Sequence, residues 1–359
     1  MRLGFDARLY FQTGVGVYIR NLLYHLPKFL PKDWQVFVYF LEEDKDKINL
    51  SNFYIPRFIK GHWHSFEEQT FFLKELIKDR LDLIHFTYFS YPLLYPKDFV
   101  ITIHDLTPLK FKTGRASSKG KVVYELKHFF YRAVLQGAFK RARRIIVPSF
   151  SVASDIELAG VVKKKVKVIY EGVDEDIVSA KEKKVKLLKP FFLYVGNFYP
   201  HKNVEFAIEG FLRFGQRKKF VLVGPDDFFA RKLKKKYKEY TDKRIIFLHD
   251  LDRKELKFLY KNAVGLIHPS FSEGFGLTLL EALYFNCPVA ASNLPVFHEL
   301  YGDLIIYFNP KDKFSLKQAF EKLNNYVLPK KEKIKILKKF DFLKTAKETV
   351  QVYKASLSS

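Results

Sequence analysis

Short apolar segments alternate with amphipathic segments along most of the chain. The segments 34–40, 99–103 and 220–223 are mostly apolar runs of strand length. Between such runs, apolar residues recur at the three- and four-residue spacing of helices, as at positions 15, 18, 19, 22, 23 and 26. Strands that alternate with helices are typical of a doubly wound parallel sheet. The pattern therefore predicts an α/β protein.

The length of the chain predicts two domains. Its 359 residues, of which 48% are apolar, exceed what one ordinary hydrophobic core contains. The run 176–189 is charged and poor in aromatic residues, and an apolar strand begins after Pro190, so we place the linker there. The first domain is predicted over residues 1–175, the second over 190–339, and a last helix over 340–359.

A glycine turn in the second half is the clearest candidate for a binding site. The stretch 270–283 (SFSEGFGLTLLEAL) follows an apolar strand and continues into an apolar helix. Gly274 and Gly276 permit a tight turn and a close approach of a ligand to the backbone. A helix that begins near Leu277 directs free N–H groups and the positive end of its dipole at a bound anion. The pattern predicts an anion site.

Two acids flank this turn, Glu273 before it and Glu281 within the helix. They can face a single ligand from two sides. The spacing alone leaves simpler alternatives open. Glu273 is compatible with an ordinary loop carboxylate, and Thr278 with Glu281 fits a capping box, in which the acid only satisfies N–H groups of the helix.

Three further places carry glycine or polar residues next to strand ends or helix starts. Gly14 and Gly16 open the first predicted helix, where a plain turn is the alternative. Lys202 lies just before another predicted helix, which is a favourable position for meeting phosphate. His104 and Asp105 follow the strand 99–103, at the end where open α/β sheets bind ligands. Asp105 could fix the imidazole tautomer or cap the following turn.

Taken in their order along the chain, these motifs resemble those of glycosyltransferase family 4, whose members are retaining nucleotide-sugar transferases with the GT-B fold. The resemblance rests on Glu-x7-Glu around Gly-Phe-Gly, on Gly followed by His-Lys-Asn at the second domain's first strand, and on the early Gly-x-Gly. The phrase Thr-Ile-His-Asp-Leu-Thr-Pro-Leu is similar to the mannosyltransferases of the family. The resemblance implies two Rossmann-like domains that face each other across a cleft. The first would bind the acceptor and the second the donor, with the last helix crossing back to the first.

The resemblance also implies roles for individual residues. Glu273 would lie by the donor sugar, Lys202 would contact the diphosphate, and His104 would lie in the pocket for acceptor and donor sugar. These three are the candidate catalytic residues. Two positions depart from the family, because Asn197 stands where Arg is common and Glu171 where Asn is common. The residues implied to contact the nucleotide sugar are Gly14, Gly16, Gly196, Asn197, Lys202, Glu273, Gly274, Phe275, Gly276, Leu277, Thr278 and, on the ribose, Glu281.

The implied activity is the transfer of a hexose with retention of anomeric configuration and without a metal or cofactor. Mannose from GDP-mannose is the favoured donor, and a glycan or lipid-linked glycan is the acceptor. A UDP- or ADP-glucose-dependent glucosyltransferase is one alternative, and a GT-B nucleotide-sugar epimerase is another. Asp250-Leu251-Asp252 is similar to a metal-binding Asp-x-Asp. However, Asp252 and Glu255 precede an amphipathic helix and fit a capping box, so we expect no metal there.

The formal net charge of +24 suggests anionic partners. Nucleic acid is one candidate, but we find no known nucleic-acid-binding motif and expect no such partner. An anionic membrane is another, since the basic, aromatic helix predicted at 124–144 suits peripheral contact, although it could equally pack on the sheet. No apolar run is long enough to span a membrane, Cys287 is the sole cysteine, and the first residues resemble no secretory signal. We expect a cytoplasmic location, with peripheral contact at the inner face of the cell membrane.

Overall fold

The computed structural model describes residues 1–111, 121–186, 190–214, 218–241 and 243–358. Side chains are described for these residues except Pro108 and positions 121–129. The side chains of residues 124–129, in the basic helix predicted at 124–144, are therefore not described, and the last three residues of the predicted linker lie outside the described residues.

Contacts within the chain divide it into two compact units. The first unit contains Met1–Leu106, the segment that ends at Glu171, and Asp341–Ser359. The second unit contains Gly172–Phe340 and the short segment that begins at Thr107. Each unit is built around one parallel sheet.

The first unit has a seven-stranded sheet in which every pairing is parallel. In chain order its strands are β1 Arg2–Asp6, β2 Gln35–Leu41, β3 Tyr54–Ile59, β4 Leu83–Phe86, β5 Phe99–Thr102, β6 Arg144–Val147 and β7 Val166–Val168. They lie in the order β3-β2-β1-β4-β5-β6-β7. The strand order reverses between β1 and β4, which makes the carboxyl ends of these two strands the switch point where such sheets bind ligands.

The second unit has a six-stranded parallel sheet with the same arrangement. Its strands are β8 Phe191–Val195, β9 Lys219–Val223, β10 Ile245–Leu248, β11 Gly265–His268, β12 Val289–Ser292 and β13 Ile306–Phe308. The order β10-β9-β8-β11-β12-β13 reverses between β8 and β11. The loops that follow these two strands therefore meet at one edge of the sheet.

Helices connect the strands in both units, as the alternating pattern predicts. In chain order they are α1 Val15–His25, α2 Leu73–Lys78, α3 Thr107–Lys110, α4 Lys121–Arg141, α5 Phe150–Leu158, α6 Glu175–Ser179, α7 Val204–Phe214, α8 Phe228–Lys236, α9 Arg253–Asn262, α10 Leu277–Tyr284, α11 Pro295–Tyr301, α12 Lys313–Leu323, α13 Lys330–Leu337 and α14 Phe342–Leu357.

The last helix, α14, packs on α1 within the first unit. Tyr353 of α14 contacts the buried His85 of β4, with its hydroxyl 2.7 Å from Nδ1. Burial and the nearby His104 lower the pKa of His85 to about 3, so this imidazole is neutral. Its Nε2 lies 2.8 Å from the Thr102 hydroxyl, which satisfies the second ring nitrogen. A fully hydrogen-bonded polar contact therefore fixes α14 on the sheet.

Most predicted elements lie within a few residues of their observed positions, and two strands escaped prediction. Strand β3 contains Pro56, which cannot donate to a ladder and argues against a central strand. It is tolerated because β3 is an edge strand, hydrogen-bonded only to β2. Strand β13 has three residues, which is too short for a clear pattern.

The predicted capping box is confirmed. Asp252 and Glu255 form it at the start of α9, each side chain accepting from the other residue's backbone N–H. After α10, Asn286 has a φ of 63°, a left-handed conformation that asparagine tolerates at a helix end.

Candidate active site

The loops after β8 and β11 are joined in the second unit. The backbone N–H of Phe271, in the loop after β11, donates to the carbonyl of His201, in the loop after β8, at 2.8 Å. This places the predicted Lys202 and Glu273 together, although 71 residues separate them in the chain. The pairing at the switch point is a consequence of the strand order rather than of any local sequence signal.

Gly276 is the residue directly before helix α10. Its φ of 87° is left-handed, and a Cβ atom there would lie 2.8 Å from the ring of Phe297. Both constraints require glycine. No side chain caps α10, so Thr278 and Glu281 do not form the capping box that their spacing allowed. The uncapped helix start is the arrangement that favours an anion.

Glu273 is the centre of the polar contacts at this turn. Its Oε1 accepts from Lys202 Nζ at 2.6 Å and from His268 Nε2 at 2.7 Å. The carboxylate is largely buried, with 11% of its side chain exposed. Burial raises the pKa of Glu273, but Lys202 and His268 lower it by more than burial raises it. The pKa of Glu273 is therefore well below that of an ordinary glutamate. Glu273 is therefore ionised at neutral pH.

Lys202 reaches Glu273 from a short turn. It is the last residue of a 3-10 turn, Pro200–Lys202, and Asn203 follows with a left-handed φ of 55° before α7 begins. The predicted position of Lys202 directly before a helix is confirmed. Its side chain remains 17% exposed, so the ammonium can also meet a ligand.

Gly196 and Asn197 form the exit of β8. A Cβ atom on Gly224 of the neighbouring strand exit would lie 2.1 Å from the carbonyl oxygen of Gly196, so the two backbones are in close contact. Asn197 Oδ1 accepts from the N–H of Tyr199 at 3.4 Å. The side chain that replaces the family's common Arg thus stabilises its own turn, and it supplies no charge.

Glu281 lies in the second turn of α10 with different partners. Only 3% of it is exposed, and its Oε2 accepts from the Tyr260 hydroxyl at 2.7 Å. Burial raises its pKa to about 7, although Arg253 and the Tyr260 hydrogen bond oppose the rise. Arg253 is itself paired with Asp174 at 2.8 Å. Glu281 therefore titrates near neutral pH, unlike Glu273.

The remaining predicted residues of the turn differ in how far they are exposed to solvent. Phe275 is 4% exposed, and its ring packs edge-on against Phe340 with centroids 5.4 Å apart. Gly274 is buried, whereas Leu277 and Thr278 at the start of α10 are partly exposed.

In the first unit, Gly14 and Gly16 open α1 as predicted. Gly14 is the residue before the helix, with φ of 68° and open space where a Cβ atom would lie. Gly16 faces its own loop, and a Cβ atom there would lie 2.6 Å from the carbonyl oxygen of Tyr10. These constraints place a tight glycine loop at the switch point of the first sheet.

His104 has both ring nitrogens engaged. Nε2 lies 3.0 Å from the carbonyl oxygen of Thr87, and Nδ1 lies 3.0 Å from Glu171 Oε1. A carbonyl oxygen only accepts, so Nε2 carries a proton. Of the two roles that the sequence left open for Asp105, fixing the imidazole belongs to Glu171 instead. Glu171 comes from the segment after β7, 67 residues away, which no local pattern could reveal.

Metal-ligand clusters and membrane-spanning helices are both absent from the described part of the chain. No group of three or more His, Cys, Asp and Glu side chains there could hold a metal ion. None of the helices within those same ranges combines the length and apolar content that crossing a bilayer requires.

Comparisons with known proteins agree with the motifs. Residues 12–177 match the family model "Glycosyltransferase Family 4", and residues 177–335 match "Glycosyl transferases group 1". The O-antigen chain mannosyltransferase RfbU of Salmonella typhimurium is 30% identical over 269 residues, 71% of each chain.

Solved structures are similar over the whole chain. Sucrose-phosphate synthase from Thermosynechococcus elongatus has a TM-score of 0.78 at 18% identity, covering 100% of this chain and 99% of the other. HepE of Anabaena, in complex with UDP-glucose, has a TM-score of 0.71 at 15% identity, covering 99% and 100%. The similarity confirms the predicted fold class, with two Rossmann-like units. The chain belongs to glycosyltransferase family 4, and it is a glycosyltransferase of the GT-B type.

Proposed function

We propose that this glycosyltransferase transfers a hexose, with mannose from GDP-mannose as the expected donor, to a glycan or lipid-linked glycan. We further propose that transfer retains the anomeric configuration and needs no metal. The observation that carries the proposal is the ionised Glu273, held by Lys202 and His268 directly before the uncapped start of α10.

The leaving diphosphate needs positive charge. Glycosyl transfer passes through an oxocarbenium-like state in which negative charge grows on the departing phosphate. Lys202 Nζ and the N–H groups of the first turn of α10 supply positive potential on the same side of the second sheet. In our proposal, they perform the task that a metal performs in other transferases.

Glu273 is suited to the sugar rather than to the phosphate. It is an ionised carboxylate, which can accept hydrogen bonds from sugar hydroxyls and stabilise the positive charge that develops on the ring. A carboxylate next to the diphosphate would otherwise be repelled, and Lys202 between them screens that repulsion. We assign Glu273 to orienting the donor sugar.

His104 is assigned to positioning rather than to proton abstraction. Both of its ring nitrogens already have partners, Thr87 and Glu171, so neither is available as a base without breaking a contact. We propose that the leaving phosphate takes the acceptor proton and that the imidazole ring of His104, held in place by Thr87 and Glu171, positions the substrates by packing against them.

The relatives favour mannose without excluding glucose as a donor sugar. RfbU is named a mannosyltransferase, whereas the HepE structure contains UDP-glucose. A ligand that binds the native state raises its stability, so thermal unfolding with GDP, UDP and ADP in the presence of EDTA discriminates the bases. We expect GDP to give the largest increase in Tm. Stabilisation by UDP or ADP alone would contradict GDP-mannose as the donor and would favour the glucosyltransferase alternative.

The variant Glu273→Ala tests the reaction itself. We expect it to abolish release of nucleoside diphosphate from the donor sugar while leaving nucleotide binding measurable. The exposed Glu239→Ala in the same unit is the matched control and should retain wild-type rates. Full activity of Glu273→Ala would remove the assignment of this residue.

An epimerase of the same architecture, the other alternative that the sequence left open, is disfavoured by the similarity to a mannosyltransferase. It would convert or hydrolyse its nucleotide sugar without an acceptor, so product analysis with and without added glycan separates the two activities. Growth of the glycan only in the presence of donor supports transfer, and acceptor-independent isomerisation supports the epimerase.

We also propose peripheral contact with an anionic membrane through the first unit. Phe66 and Leu94 are 78% and 79% exposed. Their segments are joined by Gln69, whose side chain donates to the Tyr91 carbonyl and accepts from the Leu93 N–H. The exposed Lys74 and Lys78 of α2 follow in the chain and add positive charge.

Vesicle flotation tests this contact. We expect binding to phosphatidylglycerol vesicles that weakens at high salt, and weaker binding by the double variant Phe66→Ser with Leu94→Ser. The control is Val327→Ser, which removes an equally exposed apolar side chain from the second unit. Equal flotation by both variants would contradict the proposed surface.

A further inference from the structure

A buried histidine outside the family motifs contacts the proposed donor-sugar residue. His268 ends β11, is 3% exposed, and belongs to none of the motifs on which the resemblance rests. Its Nε2 lies 2.7 Å from Glu273 Oε1 and 3.1 Å from Ser270 Oγ. Its Nδ1 is buried and has no hydrogen-bond partner among the described residues.

The two ring nitrogens define the protonation of His268. A carboxylate oxygen only accepts, so the 2.7 Å contact requires a proton on Nε2. A proton on the buried Nδ1 would be an unsatisfied donor, which is costly, so this nitrogen keeps its lone pair. The geometry selects the neutral tautomer with Nε2–H, and Ser270 Oγ receives the weaker branch of the same donor.

Packing holds the imidazole in this orientation. The ring of Phe297 lies edge-on at 5.6 Å between centroids, and the ring of Tyr194 lies nearly parallel at 6.5 Å. Phe297 is also the residue that would collide with a side chain at Gly276. The same aromatic ring therefore packs against both the glycine turn and the histidine.

The two donors on Glu273 differ in mobility. Lys202 has a long flexible side chain that is 17% exposed, and the proposed function requires it to meet the diphosphate. His268 ends a central strand and is enclosed by aromatic rings. Both donate to Oε1, and among the described residues none hydrogen-bonds to Oε2. When Lys202 turns to the phosphate, His268 remains as the donor that fixes the carboxylate.

We propose that His268 is a positioning residue for transfer: it holds Oε1 of Glu273 so that Oε2 faces the donor sugar. The assignment rests on the proposed function of Glu273. It predicts that loss of the Nε2–H donor lowers turnover more than it weakens nucleotide binding, because the sugar rather than the nucleotide depends on the orientation of Glu273.

A pair of variants separates the hydrogen bond from packing. His268→Leu keeps apolar volume and removes the donor, whereas His268→Gln places an amide N–H near the same point. We measure GDP release from GDP-mannose, or the corresponding release from UDP-glucose or ADP-glucose if that donor stabilises the wild type. We expect kcat of His268→Leu to fall about tenfold to a hundredfold, with KM changed less, and His268→Gln to recover part of the loss. Equal losses in the two variants, or an unchanged kcat in His268→Leu, would overturn the proposal.

Two NMR measurements test the contact independently of the reaction. In the wild type, the ¹⁵N shifts of His268 should show a protonated Nε2 and an unprotonated Nδ1, and the opposite tautomer would overturn the proposal without any variant. The ¹³C titration of Glu273, assigned with Glu273→Gln, should show a higher pKa in His268→Leu. If the wild type binds no nucleotide sugar, the proposed function fails, while these measurements still decide whether His268 holds Glu273.

Discussion

Replacing Glu281 by glutamine should stabilise the protein in a pH-dependent manner. Glu281 is 3% exposed in α10, and burial raises its pKa from an ordinary 4.5 to about 7. The folded state therefore binds this proton more tightly than the unfolded state does. In Glu281→Gln the amide oxygen can still accept from the Tyr260 hydroxyl, and there is no charge to bury.

The size of the effect follows from linkage. The difference between 4.5 and about 7, at roughly 1.4 kcal/mol per pH unit, corresponds to about 3 kcal/mol. Folding raises the pKa of the Glu281 carboxyl group. The protonated group therefore costs no stability below pH 4.5, and the free energy of unfolding of the wild type falls as the pH rises from 4.5 towards 7. Above pH 7, the ionised Glu281 lowers the free energy of unfolding of the wild type by about 3 kcal/mol, and the variant has no such loss.

Urea unfolding of the two proteins at pH 4.5, 6 and 8 measures this difference. The free energy of unfolding of Glu281→Gln relative to wild type should increase by about 3 kcal/mol from the lowest to the highest pH. The exposed Glu239→Gln in the same unit controls for the loss of one charge. A Glu281→Gln difference that stays constant over this range would refute the reasoning, because it would mean that burial does not disfavour the ionised form.

Three further predictions concern Gly276, Lys202 and Glu171. Gly276→Ala should lower the free energy of unfolding by about 1–2 kcal/mol because of its left-handed φ, and by more because the new Cβ atom would collide with Phe297. Gly160 is also left-handed but has no atom near its Cβ position, so Gly160→Ala measures the backbone contribution alone in thermal unfolding. Lys202→Ala should weaken nucleoside diphosphate binding at least tenfold by calorimetry and raise the pKa of Glu273, whereas the exposed Lys238→Ala should do neither. Glu171→Ala should reduce kcat/KM about tenfold by releasing His104, and Glu171→Gln should retain more activity because its side-chain amide can still hydrogen-bond to Nδ1; equal losses would contradict the contact.

The fold was largely accessible from the sequence because buried parallel strands are continuous apolar runs. Segments such as Phe191–Val195 and Phe220–Val223 have no competing interpretation, and glycines mark the helix starts at Gly14 and Gly276. Strand β3 escaped because Pro56 is compatible only with an edge, and edge position depends on the whole sheet.

The site was accessible only in part, because its contacts are long-range. Glu273, Lys202 and His104 could be identified from local patterns, but their partners could not. Glu171 lies 67 residues from His104, whereas the sequence suggested the adjacent Asp105 as one possible partner. His268 occurs in an apolar strand, where a histidine most simply suggests a core residue. The signal that was available is its position at the carboxyl end of that strand, five residues before Glu273.

The separate behaviour of the two glutamates could not be derived from spacing either. They are eight residues apart on either side of one turn, yet Glu273 has two cationic or donating partners and Glu281 has a tyrosine in a buried site. Their pKa values are shifted in opposite directions for that reason. In the proposed function, these opposite shifts suit an ionised carboxylate beside the sugar and a second carboxyl group that can change protonation when a ribose hydroxyl binds.

The most direct test of the central claim is a crystal structure of this protein with the nucleoside diphosphate that raises its Tm most. We predict that the diphosphate lies at the start of α10, within hydrogen-bond distance of the backbone N–H groups of residues 276–278 and of Lys202 Nζ, with Glu281 at the ribose. A diphosphate bound elsewhere on the chain, with Lys202 still paired only to Glu273, would contradict it.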